Sequence, residues 1–169
     1  MNNDDANVGS SSSTAKLVIL TFGDTLKGQI TTAKPILDRY GFKASFFITC
    51  DWAGLQRSKD PHMTWQDISS LQKDGQDIES KTMTHRDMSH LSAADLNFEV
   101  AQSKKCLSDH SINKNATIFA TPHGDEWNNA TIINKISKVL ESRQKICQTN
   151  HLSRLLILLT LKLCMYFNF

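Results

Sequence analysis

The apolar residues of this chain alternate between short continuous runs and segments with helical spacing. The continuous runs, with one shorter segment, predict buried strands, at Lys16–Phe22, Ala44–Thr49, Asp77–Ser80 and Thr117–Ala120. Apolar positions three and four residues apart predict helices between and after them, at Gln29–Tyr40, Thr64–Gly75, Ser92–Leu107 and from Asn128 or Asn129 to Leu140. Strands alternating with helices predict an α/β fold built on a parallel sheet.

Individual residues mark where these helices begin and end. Thr64, with Asp67 three residues later, predicts a capping box, and Gly75 ends that helix. Pro35 fits its predicted helix only if the helix begins no more than one turn earlier, because proline lacks the backbone N–H. Ser92 opens the third helix.

Composition divides the chain into three parts. Residues 1–15 are polar and serine-rich, lack the apolar core of a signal peptide, and predict a disordered leader; the default location is then cytoplasmic. Residues 16–140 form the folded domain. Residues 141–169 are an atypical tail whose apolar stretch is too short to cross a bilayer. This tail is a final buried strand or helix, a membrane-surface or partner-binding helix, or an out-of-frame extension.

The charge balance and the cysteines limit the classes of function. A formal net charge of +2 without a basic stripe gives no support to nucleic-acid binding. The four scattered cysteines are expected to be reduced and buried, with a disulfide possible but unsupported. His62 and His110 lie in polar surroundings and are expected at the surface. Nothing in the pattern indicates an oligomeric state.

Polar residues follow the predicted strands at the points where those strands end. Asp24, Asp51, His85 and His123 each lie just past a strand. Chemistry collects at the carboxyl ends of strands in parallel α/β folds. We therefore expect the functional site at this edge of the sheet.

Three motifs resemble those of one enzyme family. Leu20–Asp24 reads L-T-F-G-D, Glu79–His85 reads E-S-K-T-M-T-H, and Phe119–Gly124 reads F-A-T-P-H-G. They resemble the T-F-D-D, H-[ST]-x-x-H and R-x-P-Y-G motifs of the polysaccharide deacetylase family, the NodB homology domain of carbohydrate esterase family 4. The resemblance covers about residues 17–139 and implies an incomplete, deformed (β/α) barrel.

The resemblance also assigns roles to individual positions. It implies that Asp24 and His85 are ligands of a divalent metal, zinc first, and that the substrate is the acetamido group of an N-acetylated glycan. Gly23 stands where the family has its catalytic base, and Lys81 stands where it has another ligand. Both changes predict impaired hydrolysis, because glycine accepts no proton and a lysine cation repels a metal ion.

Other residues are candidates to complete the site. His90 is a candidate third metal ligand, and Asp87 or His123 a candidate base. Pro122, His123, Trp52 and Trp127 are candidates for substrate binding, since aromatic side chains after strand ends suit sugar rings.

Three hypotheses follow from the sequence. The chain is a deacetylase-like hydrolase with impaired activity, a catalytically inactive protein that binds a glycan or a partner, or the product of a decayed or frameshifted gene.

Overall fold

The computed structural model describes residues 18–56, 59, 61–112, 118–123, 129–139, 145–149 and 164–166. It contains one sheet whose six strands lie in chain order: β1 (Thr21–Phe22), β2 (Ser45–Ile48), β3 (Asp77–Ser80), β4 (Ile118–Ala120), β5 (Lys145–Thr149) and β6 (Cys164–Tyr166). Strands β1 to β5 pair in parallel, and β6 runs antiparallel to β5. The predicted α/β class is confirmed, and four of the parallel strands form a curled half-barrel with the helices, which agrees with the predicted incomplete (β/α) barrel.

Helices connect the parallel strands. They are α1 (Lys34–Arg39), α2 (Trp65–Lys73), α3 (Ala93–Asn97), α4 (Ser103–Asp109) and α5 (Ala130–Val139). A π-helical segment, Gln29–Ala33, leads into α1, and a second one, Phe98–Gln102, joins α3 to α4. A short 3₁₀ turn, Cys50–Trp52, follows β2.

The predicted helix starts agree with the structure. The Thr64 hydroxyl accepts a hydrogen bond from the Asp67 backbone N–H at 3.2 Å, and the Asp67 carboxylate accepts one from the Thr64 N–H at 2.8 Å, which completes the capping box. Ser92 caps α3 by accepting from the Asp95 N–H at 3.1 Å. Pro35 is the second residue of α1, which follows directly on the π-helical segment Gln29–Ala33.

The core lies between the sheet and its helices. Every residue of β2 is buried, as expected of a central strand enclosed on both faces. The Phe22 and Phe46 rings stack with centroids 4.9 Å apart, and α2 covers the same region with Ile68 and Leu71. A second cluster packs α3 and α5 against Phe119 of β4.

The predicted first strand is too long. Among the described residues it covers only Thr21–Phe22, and Val18 is 74% exposed. Among the described strands, β1 lies at one end of the sheet order and pairs with β2 alone, as an edge strand does.

Residues 1–15 lie outside the described residues, whereas β5 and β6 extend the sheet past Leu140. The division at residue 140 stays a prediction. Within the described ranges, no helix has the length and apolar character that a membrane crossing requires.

The expectation of reduced cysteines is wrong for one pair. Cys50 and Cys106, which are 56 positions apart in sequence, form a disulfide with Cα atoms 6.5 Å apart. The spacing carries no signal, because folding alone brings the end of β2 against α4. The disulfide joins the strand-end loop at Cys50 to the helical layer.

We expect reduction of this disulfide to lower the free energy of unfolding by roughly 4 kcal/mol, the chain-entropy value for a loop of this length. Urea denaturation of the oxidised chain with and without reductant measures the difference. A Cys50→Ala/Cys106→Ala variant is the control and should be insensitive to reductant. Equal midpoints for the oxidised and reduced wild type would contradict the prediction.

Candidate active site

The ends of the strands bring the predicted polar residues to one edge of the sheet. Asp24 follows β1, Trp52 follows β2, Lys81 directly follows β3, and His123 follows β4. His85 lies in the loop four residues after Lys81. Because β1 to β4 are parallel, their carboxyl ends share this edge.

A buried ion pair forms the centre of the site. The Lys81 side chain is fully buried, and its Nζ contacts Oδ1 of Asp24. His85 Nε2 lies 3.1 Å from the same Oδ1 atom. One carboxylate oxygen therefore joins the lysine and the histidine. Sequence reasoning assigned Asp24 and His85 together but did not foresee that Lys81 pairs with Asp24.

Aromatic rings enclose His85. The Trp52 ring stacks on the imidazole of His85 with centroids 4.5 Å apart, and the His123 ring meets it edge-on at 4.9 Å. The rings of His62 and Trp52 make an edge-type contact with centroids 5.3 Å apart, and His62 is only 2% exposed. The expectation that His62 lies at the surface is therefore wrong, whereas His110 is exposed as predicted.

This environment favours the neutral form of His85. Burial is the largest cause of a lowered His85 pKa, and the charges of Lys81 and His123 lower it further, while the hydrogen bond and charge of Asp24 oppose the shift. Since carboxylates only accept hydrogen bonds, the neutral ring donates its Nε2–H to Asp24 and keeps its lone pair on Nδ1.

The loops that carry these residues have an uncommon backbone conformation. Left-handed φ values between 56° and 82° occur at five non-glycine residues of the strand-end loops: Asp24, Thr25, Thr82, His85 and His123. Such conformations cost on the order of 1–3 kcal/mol each and cluster at functional sites. Surrounding hydrogen bonds must hold these loops in place.

Glu99 supplies several of these hydrogen bonds, and the sequence analysis missed it. Its carboxylate is fully buried and accepts from the backbone N–H groups of Met83 at 3.0 Å and Thr84 at 2.8 Å, and from the Thr84 hydroxyl. The Thr82 hydroxyl accepts from the His85 N–H at 3.0 Å. A glutamate within an otherwise apolar helical stripe was the only sequence signal for this role.

The other predicted site residues differ in position. His90 is exposed in a turn. Asp87 is also exposed, and its carboxylate accepts from the Ser89 N–H at 2.8 Å within its own turn. Pro122 is buried beside the exposed His123. Trp127 lies outside the described residues.

The residues present do not fit the divalent metal that the resemblance implies. In the part of the chain that the structure describes, no three His, Cys, Asp or Glu side chains form a group that could hold a metal ion. A set of Asp24, His85 and His90 is therefore not assembled. A catalytic zinc needs three protein ligands. Here Asp24, one of the two expected ligands, already has its Oδ1 in contact with the ammonium group of Lys81.

The arrangement does provide one chemical capability. Asp24 accepts from Nε2 of His85 and so fixes which ring nitrogen can take a proton, as the orienting carboxylate of an acid–base pair does. Nδ1 of His85 is then the ring nitrogen that can accept a proton.

We expect Glu99→Gln to lower the free energy of unfolding by about 1–3 kcal/mol, because an amide cannot accept all the hydrogen bonds that the carboxylate accepts. Chemical denaturation measures the change. Asp109→Asn, which alters an exposed carboxylate paired with Lys105, should change stability by less than about 0.5 kcal/mol. Equal effects of the two variants would refute a holding role for Glu99.

Comparisons with known proteins agree with this fold. Residues 10–140 match the family model described as polysaccharide deacetylase. The chain is 31% identical over 117 residues to the polysaccharide deacetylase homologue YxkH of Bacillus subtilis (strain 168), covering 69% of this chain and 40% of YxkH.

Solved structures show the same fold. The Streptococcus pyogenes deacetylase PplD in complex with acetate is 24% identical, with a TM-score of 0.66 and coverage of 73% of this chain and 53% of PplD. The Bacillus anthracis protein BA3943, a CE4 family pseudoenzyme, is 18% identical, with a TM-score of 0.59 and coverage of 79% and 43%. This chain thus spans less than two thirds of the length of each relative.

The family match over residues 10–140 and the sheet-edge site lead to one conclusion: this chain belongs to the polysaccharide deacetylase family.

Proposed function

We propose that this chain acts on the acetamido group of N-acetylated glycans as a deacetylase-type hydrolase of carbon–nitrogen bonds whose turnover is strongly impaired. Membership of the family supports the reaction class. The observation that carries the impairment is the Lys81–Asp24 contact, together with the glycine at position 23. The contact with Lys81 engages the Asp24 carboxylate. Glycine at position 23 offers no side chain that could act as a base.

The residual chemistry depends on His85. Its Nδ1 accepts a proton from a water molecule as the water oxygen bonds to the acetamido carbonyl carbon, and it returns that proton to the sugar nitrogen as the C–N bond breaks to release acetate and the amine, while Asp24 holds the ring through Nε2. Trp52 keeps the imidazole in place by stacking on it. His123, exposed at the same edge, and Pro122 beside it contribute to substrate binding.

A second candidate function is glycan binding without hydrolysis. Gly23 and the Lys81–Asp24 pair favour this function, since the first supplies no base and the second engages the Asp24 carboxylate, while the fold is retained. Trp52 and Trp127 are the proposed aromatic contacts to sugar.

The Cys50–Cys106 disulfide is relevant to the cellular compartment of this protein. Disulfides form and persist in oxidising compartments, so we propose an oxidising compartment in place of the cytoplasmic default.

We expect wild-type protein to release acetate from chito-oligosaccharide at least about 10²-fold more slowly than a Gly23→Asp/Lys81→His variant assayed with zinc, since a general base alone contributes 10²–10⁴-fold. Acetate is measured enzymatically at matched protein concentrations.

His85→Ala in both backgrounds is the control and should reduce acetate release to the level of the buffer. If wild type and His85→Ala release acetate equally, hydrolysis at this site is refuted. Calorimetry with the same oligosaccharide then tests glycan binding. A wild-type rate equal to that of the double variant would refute the impairment.

A further inference from the structure

We infer that Lys81 is a built-in cation that takes the place of a divalent metal beside Asp24, so that the Asp24–His85 site is assembled without metal and does not take up zinc. The inference concerns the same site as the proposed function, but it does not depend on turnover.

The first argument is the burial of Lys81. Its side chain is 0% exposed, whereas the Asp24 side chain retains 24% exposure. A buried ammonium is strongly unfavourable unless an anion lies against it. Asp24 provides that anion, and a metal ion at Asp24 would place a second cation against the first.

The second argument is the position of Lys81 in the sheet. Its backbone N–H donates to the Ile48 carbonyl at 2.9 Å, which continues the pairing of β3 with β2 beyond Ser80. This hydrogen bond holds the backbone of Lys81 in place, so only its side chain could move. Moving Nζ away from Asp24 to admit another cation would leave the ammonium buried without its anion.

The third argument is the orientation of His85. Its Nε2 lies against Asp24 Oδ1, the same atom that Lys81 contacts. Because a carboxylate only accepts, Nε2 carries a proton in this contact, and a protonated ring nitrogen is not a metal ligand. Nε2 of His85 thus donates to Oδ1 of Asp24, and that oxygen also accepts from Lys81.

Zinc titration of the full chain by calorimetry tests the inference. We expect wild type and Asp24→Asn to show the same weak background binding. Lys81→His should bind zinc at least tenfold more tightly than wild type, and Lys81→His/Asp24→Asn should lose the gain. Lys105→His is the matched control, since it also places a histidine beside an aspartate, Asp109, but at an exposed position.

Thermal unfolding supplies a readout that does not require the histidine variant to fold. The melting temperature of wild type should be unchanged by EDTA and by added zinc. Lys81→Met should lower it, because Asp24 loses its cation. Lys81→Met/Asp24→Asn should be less destabilised than the sum of the two single variants.

Three results would overturn the inference. They are micromolar zinc binding by wild type that Asp24→Asn abolishes, a wild-type melting temperature that EDTA lowers, and a Lys81→Met variant as stable as wild type. Failure of the proposed function is distinct from these, because it appears as absent acetate release while the zinc and unfolding results hold.

Discussion

The contact between the buried ammonium of Lys81 and the carboxylate of Asp24 governs the rest of the site. Removing one partner of a buried ion pair typically costs about 3–5 kcal/mol, and the partial exposure of Asp24 places this pair toward the lower end. The pair joins the end of β1 to the end of β3 across the intervening β2. It also sets the hydrogen-bonding role of His85, because the same oxygen receives the imidazole.

The surrounding structure holds this pair in a strained frame. After β2 and β3 end, their loops continue to pair, with the Asp51 N–H donating to the Met83 carbonyl at 3.0 Å. From the helical layer, the Glu99 carboxylate accepts hydrogen bonds from Met83 and Thr84 in the loop after β3, and the Cys50–Cys106 disulfide joins the loop after β2 to α4. These supports offset the cost of left-handed backbone at non-glycine residues.

The family fold is retained while the charge at its centre is supplied differently. A divalent ion would polarise a carbonyl and activate water. An ammonium group inside the protein balances one carboxylate but offers no open coordination position. The site therefore keeps an oriented imidazole and its aromatic surroundings and lacks a three-ligand group among the described residues. This is the physical basis of the impaired hydrolysis that we propose.

The sequence by itself determined the α/β class, the capping box at Thr64, and the placing of Asp24, His85 and His123 at one sheet edge. These features follow from local periodicity and from the rule that parallel strands share their carboxyl ends. Only the tertiary structure decided the partners. The Lys81–Asp24 pair, the burial of His62, the role of Glu99 and the Cys50–Cys106 disulfide join residues 15 to 57 positions apart or depend on such contacts. Contacts at that separation depend on which elements pack against each other, and hydrophobic periodicity shows which face of an element is buried but not its partner.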